Sequence, residues 1–502
     1  MRWWNFTKFK IISGDPFATL LKNEGKVNRY LNQLLKENII DEKVYRNLYS
    51  SGSRPGILYG LPKIHKENNP IRPILSAIGT FNYKLAKFLV PIIAPITINE
   101  FTVKDTFEFV KNLCDSNLPS NNVILASFDI KSLFTNIPLS ETIDICTNEL
   151  FANSDYVHNF SKVQFKKLLN LACKDCYFLF DETLYQQTDG VAMGNPLGPT
   201  LANAFLCYHE KQWLGDCPSD FKPITYKRYV DDTFLIFKSP DDVNQFLDYL
   251  NDKHPNIKFT SEIENNRCLP FLDINIKRVN NSFTTSVYRK PTFTGLMTKF
   301  SSAIPNQYKK NLVTTLVIRA YNICSNYFDL HDEFKFLEQT LFKNGFSVTF
   351  TCSVIKRQLN KLLKPSCRPA TANKAIVYFS IPYKGNTSFT LRKSLTKLLM
   401  SFYPQVTIRV VFKPNSTIQN YFNIKDKIPI ELRSSVIYLY QCRECNLRYL
   451  GQTGKHLKER ISNHLGISSR TQQPLAKPPH SAVRDHSHAK DHPIHRDSQN
   501  FR

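Results

Sequence analysis

The amino-acid sequence predicts an α+β protein of several domains. Short apolar runs that are typical of strands, such as Asn122–Ile130, alternate with stretches of helical periodicity, such as Ser140–Phe151. The 502 residues are 42% hydrophobic and 13% aromatic, which is enough for packed cores and excludes a disordered basic tail as the whole chain. This length predicts roughly three or four domains.

The first elements are a helical lead-in and a basic hairpin. Apolar residues at helical spacing predict helix between Val27 and Leu48, with Asp41 capping a second short helix. Glycines and prolines then punctuate a loop before LPKIHK and IRPILS, two short strands around a polar turn. Their basic residues, which include Lys63 and Arg72, suit a phosphate clamp.

Two later segments deliver carboxylates at the ends of strands. The apolar run that contains Asp129 predicts a buried strand, and β-rich runs on both sides of Asp231 and Asp232 predict a hairpin with this pair at its tip. The other elements predicted here are helices at Val163–Cys173 and Asp241–Leu250, a helix from Thr200, a hairpin at Phe178–Gln187, and a strand pair at Lys258–Ile263 and Leu269–Lys277.

The positive charge is concentrated in the second half of the chain. Lys and Arg total 66 against 42 Asp and Glu, a formal net charge of +24. Ile274–Phe328 holds eight basic residues and Lys343–Lys425 holds fourteen, and neither tract contains an acid. Such tracts predict a surface that follows phosphates, with a solvated basic surface as the alternative.

No segment predicts a membrane span or a signal peptide. The longest apolar run, Phe88–Ile98, is about half a span and contains two prolines. Twelve cysteines in so long a chain do not suggest a disulfide framework. The sequence therefore predicts a soluble intracellular protein in which Cys173 and Cys176 are core packing residues.

Carboxylates in this arrangement suit two divalent cations. Nucleotidyl transfer uses two such ions about 4 Å apart, and Mg²⁺ prefers carboxylate oxygens. Asp129 and the Asp231–Asp232 pair supply those ligands. The pair alone is weak support, because turns favour Asp for local hydrogen bonding.

Four motifs in order, SFDIKSLF, TDGVAMGNPLGPTLANAF, YKRYVDDTFLIF and LPFLDINI, resemble the palm motifs of reverse transcriptases. The details YGLPKIHK, RPILSAIGT and DGVAMGNPLGP resemble the Penelope-like retroelements in particular. The resemblance implies a right-hand polymerase that uses two Mg²⁺ or Mn²⁺ ions held by Asp129, Asp231 and Asp232. It also implies an RNA template, a DNA primer or target, and dNTPs as partners. The implied domains are a helical lead-in (1–50), fingers and palm (51–275), a basic helical thumb (276–345), a basic connector (346–433) and a C-terminal unit (434–502).

Further positions acquire roles from the same resemblance. Phe134 matches the bulky residue that excludes a ribose 2′-hydroxyl, with a core aromatic as the alternative. Arg72 and Lys63 match finger residues that hold the incoming triphosphate. Leu269–Asp273 resembles the primer grip, with an ordinary buried strand as the alternative. The residues implied to shape the loop beneath the templating base are Gly190, Met193 and Pro196.

The C-terminal unit resembles the opening of a GIY-YIG endonuclease, a domain that Penelope-like elements carry after the polymerase. The segment SSVIYLYQCRECNLRYLGQTGKHLKERISNHL carries the resemblance. The matching active-site positions are Tyr438, Tyr449, Gly451, Arg460 and His464. The family also needs a metal-binding Glu on a downstream helix, and no Glu follows Glu459, so the sequence indicates a partial domain.

A zinc site is predicted in the same unit. The pair Cys442 and Cys445, followed by His486 and His492, offers two thiols and two imidazoles, which suit tetrahedral zinc. The resemblance supports it, because Penelope-like endonucleases have a Cys-Cys-His-His cluster in this region. Unligated cysteines beside a His-rich tail are the alternative.

Three functions remain open from the sequence. RNA-directed DNA polymerase is the leading hypothesis, and the others are a non-catalytic nucleic-acid-binding remnant and a DNA-nicking endonuclease. Both ends look shortened relative to the family, which suggests a fragment or a decayed copy. The family implies a nuclear site of action, whereas the sequence leaves nucleus and cytoplasm, and the oligomeric state, undetermined.

Overall fold

The computed structural model describes residues 8–64, 68–116, 123–152, 159–280, 282–364, 375–414, 417, 421–422 and 427–495. In this part of the chain helices and strands are mixed, as the α+β prediction requires. The helices are α1 (Pro16–Lys36), α2 (Glu42–Leu48), α3 (Tyr83–Ile93), α4 (Thr106–Cys114), α5 (Leu133–Asn136), α6 (Leu139–Ala152), α7 (Lys162–Cys173), α8 (Gly198–Gly215), α9 (Pro240–Lys253), α10 (Asn306–Ile323), α11 (Tyr327–Lys343), α12 (Val348–Leu363), α13 (Thr387–Phe402), α14 (Leu457–Leu465) and α15 (Ala482–Lys490). The strands are β1 (Phe9–Ile11), β2 (Gly56–Pro62), β3 (Ile71–Ser76), β4 (Ile124–Ile130), β5 (Cys176–Phe180), β6 (Thr183–Gln187), β7 (Thr225–Tyr229), β8 (Asp232–Phe237), β9 (Phe259–Ile263), β10 (Cys268–Phe271), β11 (Ile274–Val279), β12 (Ser282–Val287), β13 (Ile376–Pro382), β14 (Thr407–Lys413), β15 (Val436–Gln441) and β16 (Arg448–Thr453).

A four-stranded antiparallel sheet in the order β7-β8-β4-β9 carries the predicted carboxylates. Alternate residues of β4 and β8 face opposite ways, so each face has its own core. One face packs against α8 and α9 through residues such as Phe128 and Phe237. The other packs against α4, β10 and β11 through Leu125 and Phe234. This sheet is therefore held rigidly from both sides.

A second sheet, in the order β1-β6-β5-β2-β3, carries the basic hairpin. The strands β2 and β3 pair antiparallel across the turn that follows Lys63, whose amide donates to the Pro70 carbonyl at 2.8 Å. The helices α1, α3, α6 and α7 build the adjacent core. The predicted cap of α2 is present, because the Asp41 carboxylate accepts from the Val44 amide at 2.6 Å.

Lys258–Ile263 and Leu269–Lys277 both contain strands, but the prediction that these two segments form a strand pair is wrong. The strand β9 pairs with β4, while β10 and β11 form a hairpin of their own that turns at Leu272 and Asp273. Both turn residues have positive φ, at +47° and +64°. Glycine is the residue that usually marks this conformation, and neither of these residues is a glycine. The turn was therefore not predicted from the sequence.

The basic second half folds into two units. The helices α10, α11 and α12 share one core built around Val317, Leu341 and Val354. This core extends past residue 345, where the predicted thumb ends. Further on, β13, α13 and β14 form a parallel β-α-β unit inside the predicted connector.

The C-terminal unit consists of the β15–β16 hairpin, α14 and α15, and it contacts the N-terminal helix. His456 Nε2 contacts the Ser53 carbonyl, and Arg470 donates to the Leu21 carbonyl at 2.9 Å. Lys458 lies 3.6 Å from the Asp15 carboxylate. Among the described helices, none is long and apolar enough to cross a bilayer.

Candidate active site

Asp129 and Asp232 lie side by side at one end of the first sheet. They are register partners in the β4–β8 pair, and Asp129 is also paired with Thr260 of β9. Residues directly opposite in an antiparallel pair project from the same face. Both side chains line a cavity of about 610 Å³.

Asp231 occupies the turn between β7 and β8, as predicted. Its carbonyl accepts from the Ile130 amide at 3.1 Å, which ties the turn to the strand that carries Asp129. The residue before it, Val230, has φ +56°. Because a β-branched residue adopts this conformation only under constraint, neighbouring contacts must hold the turn.

Those contacts come from Arg228, which is fully buried. Its Nη1 donates to the Val230 carbonyl at 3.1 Å, and its Nη2 donates to the Glu210 carboxylate of α8 at 3.1 Å. Tyr226 Oη donates to the same carboxylate at 2.9 Å. Burial lowers the pKa of Arg228, but Glu210 raises it by more, so the guanidinium stays charged.

This ion pair was not predicted from the sequence. A signal existed in α8, where Asn203, Cys207 and Glu210 recur at helical spacing. All three contact the Arg228 guanidinium, at 3.0, 3.4 and 3.1 Å.

The charges around Asp231 come from both sheets. Burial raises the pKa of Asp231, and repulsion from Asp129 raises it further, whereas its own backbone and the cations Arg72 and Lys63 lower it. The net effect is a raised pKa. The basic hairpin predicted as a phosphate clamp thus lies within electrostatic range of the carboxylates.

The loop before α8 fits between the two sheets. Gly190 has φ +74°, and a Cβ there would lie 2.6 Å from the Thr135 carbonyl oxygen. Gly194 has φ +125°, and a Cβ there would lie 2.4 Å from the Leu75 carbonyl oxygen of β3. Met193 accepts from the Leu75 amide at 2.9 Å. Only glycine permits this close approach of the loop to the strand of Arg72.

Two other predicted residues lie along the same loop. Phe134 is half-buried, and its carbonyl accepts from the Val191 amide at 2.7 Å. Pro196 is half-buried in the turn that opens α8.

The predicted primer-grip segment contributes to the cavity that Asp129 and Asp232 line, through Pro270, Phe271, Leu272 and Asp273. Leu269 is fully buried in the core beneath it.

The five endonuclease-like residues form one cluster in the C-terminal unit. His464 Nε2 lies 2.6 Å from Tyr438 Oη, to which Arg460 Nε also donates at 3.0 Å. A Cβ on Gly451 would lie 2.5 Å from the Tyr438 ring, because the two are register partners. The Tyr449 and Tyr438 ring centroids are 6.3 Å apart.

The electrostatics of this cluster keep its groups neutral or cationic. Burial raises the pKa of Tyr438, although Arg460 lowers it in part. Burial, together with Arg460 and Arg484, lowers the pKa of His464 to about 4. A buried tyrosine with a raised pKa is a poor general base at neutral pH.

The four predicted zinc ligands converge. Their ligand atoms all lie within 4.8 Å of one another. Cys442 Sγ is 3.5 Å from His492 Nδ1, and Cys445 Sγ is 3.4 Å from His486 Nε2. Burial raises the pKa of Cys442, but hydrogen bonds from the Cys445 and Glu444 backbone and from His486 outweigh it and lower the pKa to about 7.

Cys173 and Cys176 behave as core residues, as predicted. Cys173 belongs to the core around α1, α3 and α7, and Cys176 donates to its carbonyl at 3.3 Å. Burial raises the pKa of Cys176 to about 11, which keeps it a thiol.

Comparison with known families gives two matches. Residues 64–264 match the reverse transcriptase (RNA-dependent DNA polymerase) family, and residues 296–356 match the animal helix-turn-helix domain family. The second range covers most of α10 to α12, and it overlaps both the predicted thumb (276–345) and the start of the predicted connector. Comparison with curated protein sequences finds no match.

Among solved structures, the chain is similar to apo telomerase from Candida tropicalis truncated from its C-terminal domain. The identity is 12% and the TM-score 0.37, over 53% of this chain and 60% of that one. Candida albicans telomerase in complex with a fragment of telomeric RNA is 11% identical, with a TM-score of 0.39, over 67% of this chain and 68% of that one. The Sicinivirus 3Dpol RNA-dependent RNA polymerase is 11% identical, with a TM-score of 0.39, over 71% of this chain and 87% of that one.

The predicted right-hand polymerase architecture is confirmed by the family match and by the arrangement of the two sheets. The antiparallel sheet carries Asp129 and Asp232, with Asp231 in its β7–β8 turn, and the second sheet carries Arg72, with Lys63 directly after β2. Residues 64–264 therefore carry the sequence pattern of a reverse transcriptase domain.

Proposed function

We propose that this protein is an RNA-directed DNA polymerase of a Penelope-like retroelement. The observation that carries the proposal is the meeting of Asp129, Asp231 and Asp232 in the reverse transcriptase domain, within range of the cations Lys63 and Arg72. Nucleotidyl transfer requires carboxylates that hold the metal ions and cations that bind the phosphates nearby.

Two divalent ions fit these residues, with Mg²⁺ or Mn²⁺ held by Asp129, Asp231 and Asp232. Burial, and to a lesser extent repulsion from Asp129, raises the pKa of Asp231, and a cation bound between the two carboxylates would relieve the repulsion. When bound, such ions activate a primer 3′-hydroxyl and neutralise the leaving pyrophosphate. The protein's own task is to hold the carboxylates in place, which Arg228 does through the Val230 carbonyl.

The other palm and finger residues position the substrates. Lys63 and Arg72 bind the triphosphate of the incoming dNTP, and Phe134 stands against its sugar. Gly190, Met193 and Pro196 shape the loop under the templating base, and Leu269–Asp273 holds the primer end beside the cavity. The thumb-like helices α10 to α12 supply basic residues for the duplex of template and primer.

A panel of substrates tests this proposal. The purified chain is given a primed RNA or primed DNA template with either dNTPs or rNTPs and Mg²⁺. We expect primer extension with dNTPs on RNA, and none when EDTA is present. Tight binding of the primed RNA with a steep salt dependence and no extension in any combination would instead support the non-catalytic binding remnant.

A DNA-nicking activity is the second candidate, favoured by the Tyr438 hydroxyl, which contacts both Arg460 Nε and His464 Nε2. The burial of Tyr438, which raises the pKa of its hydroxyl, weighs against it. If the cluster nicks DNA, supercoiled plasmid will relax with a divalent metal, and Arg460→Ala will abolish the relaxation. The matched variant Arg448→Ala, which changes an exposed residue of the β15–β16 hairpin, should leave the relaxation unchanged.

We also propose a structural zinc ion at Cys442, Cys445, His486 and His492. Tetrahedral zinc, with Zn–S of about 2.3 Å and Zn–N of about 2.0 Å, separates its sulfur and nitrogen ligands by about 3.5 Å. The observed sulfur to nitrogen distances are 3.4 and 3.5 Å. Four protein ligands leave no open position, which is typical of structural rather than catalytic zinc.

The zinc content of the dialysed protein tests this site. We expect one zinc per chain by mass spectrometry, lost in Cys442→Ser and retained in the control Cys114→Ser, which changes an exposed cysteine elsewhere. The zinc affinity should weaken progressively as the pH falls below about 7, because protons then compete for the Cys442 thiolate. If the wild-type chain contains no zinc, the zinc site is contradicted, and the alternative of unligated cysteines beside a His-rich tail is supported.

A further inference from the structure

The β-α-β unit of β13, α13 and β14 has one covered and one open face. The strands run parallel and in register from the Ile376–Thr407 pair to the Pro382–Lys413 pair. On the covered face Ile381, Val410 and Phe412 are buried against α13. Parallel sheets are normally covered on both faces, and within the described residues this pair is covered on one.

The open face combines an aromatic ring with cations. Because side chains alternate along a strand, the residues opposite to Ile381, Val410 and Phe412 project from it. Tyr378, whose side chain is 62% exposed, pairs across the strands with the exposed Arg409. The exposed Lys413 lies on the same face, about 13 Å further along β14.

The charge of the unit selects an anionic partner. Residues 375–414 contain six Lys and Arg and no Asp or Glu. A basic surface with an exposed aromatic ring is the pattern on which single-stranded nucleic acids bind, since bases stack on the ring while phosphates pair with the cations. Double helices offer no unstacked base to such a ring.

We propose that this open face binds single-stranded nucleic acid, with a base on Tyr378 and phosphates at Arg409 and Lys413. The unit is anchored to the rest of the protein, because Tyr308 of α10 donates to the Phe412 carbonyl at 2.7 Å. The inference goes beyond the proposed polymerase activity, since the surface lies outside the reverse transcriptase domain. It would keep an unpaired strand attached to the protein.

Photocrosslinking of the full chain tests the location. A 15-residue oligouridylate with 4-thiouridine is irradiated with the protein in excess blunt RNA–DNA duplex, which occupies duplex-binding surfaces. We expect crosslinked peptides from β13 or β14. Crosslinks found only elsewhere in the chain would overturn the proposal.

Affinity supplies the second readout. By fluorescence anisotropy, the double variant Tyr378→Ala/Arg409→Ala should bind the oligonucleotide at least about fivefold more weakly, the loss of one stacked base. The control Tyr403→Ala/Lys393→Ala likewise removes one exposed tyrosine and one exposed cation, at the end and on the exposed side of α13, and its affinity should stay within about twofold of the wild type. Equal losses in both variants would overturn the proposal, as would equal affinity for a polyglutamate peptide of the same charge.

The two proposals fail separately. Primer extension on a template without a long single-stranded tail should be unchanged in Tyr378→Ala/Arg409→Ala. If the wild type extends no primer but the crosslinks map to β13 and β14, the polymerase proposal fails and the strand-binding surface stands.

Discussion

Asp231→Asn is expected to reduce RNA-templated primer extension by about 10³-fold or more, because one carboxylate of the metal-binding set is lost. The substituted amide has the same shape, so the turn held by Arg228 and the Val230 carbonyl should persist. The comparison is single-nucleotide extension under identical conditions, with Asp252→Asn on the exposed side of α9 as the control. Activity within tenfold of the wild type would contradict the assignment of Asp231.

The stability of the same variant gives an independent check. A raised pKa means that the folded state favours protonated Asp231, so the ionised form costs stability once the pH exceeds the raised pKa. Asp231→Asn removes this cost. We therefore expect its thermal midpoint without metal at neutral pH to equal or exceed that of the wild type. A large decrease would show that the lost activity reflects unfolding.

Metal dependence should follow the same pKa. Protons and cations compete for Asp231, so the Mg²⁺ concentration that gives half-maximal extension should rise as the pH falls through the raised pKa. A requirement for Mg²⁺ that does not change with pH would mean that Asp231 does not bind the ion.

Arg228→Met is expected to destabilise the protein by about 3–5 kcal/mol, because Glu210 is left as a buried carboxylate without its guanidinium partner. Adding Glu210→Gln removes that charge while keeping an acceptor for Tyr226, so the double variant should recover most of the stability. Urea denaturation measures both changes.

The catalytic rate separates positioning from stability. Even the double variant lacks the donor to the Val230 carbonyl, so its extension rate should stay low while its KM for dNTP is close to that of the wild type. The control is Arg278→Met, which breaks a comparable ion pair between Arg278 of β11 and Glu264, the residue that follows β9, away from the Asp231 turn. It should lose stability but keep the rate, and loss of rate in both variants would indicate a merely structural role for Arg228.

The sequence was most informative where local pattern and chemistry coincide. Apolar strands ending at Asp129 and flanking Asp231 predicted the palm carboxylates, because strand ends at a shared sheet edge bring side chains together. The Cys442 and His486 spacing likewise predicted a cluster that the fold assembles across 44 residues of sequence. Each signal depends on residues that have few other reasons to occur together.

The features that were missed depend on tertiary packing. Arg228 looks like a surface cation in YKRYVDD, and only the packing of α8 on β7 reveals Glu210 as its partner. The hairpin at Leu272 lacks the glycine that usually marks a turn with positive φ. The β-α-β unit was not predicted, because the apolar run of β13 lies within a tract whose composition is dominated by basic residues.

The most direct test is single-nucleotide incorporation on a primed RNA template, with each dNTP supplied separately and the templating base varied through all four identities. An RNA-directed DNA polymerase will add only the complementary dNTP, will change its choice with each template base, and will require Mg²⁺ or Mn²⁺. A folded wild-type chain that binds the primed template but adds no nucleotide with either metal would contradict the assignment of polymerase chemistry to Asp129, Asp231 and Asp232.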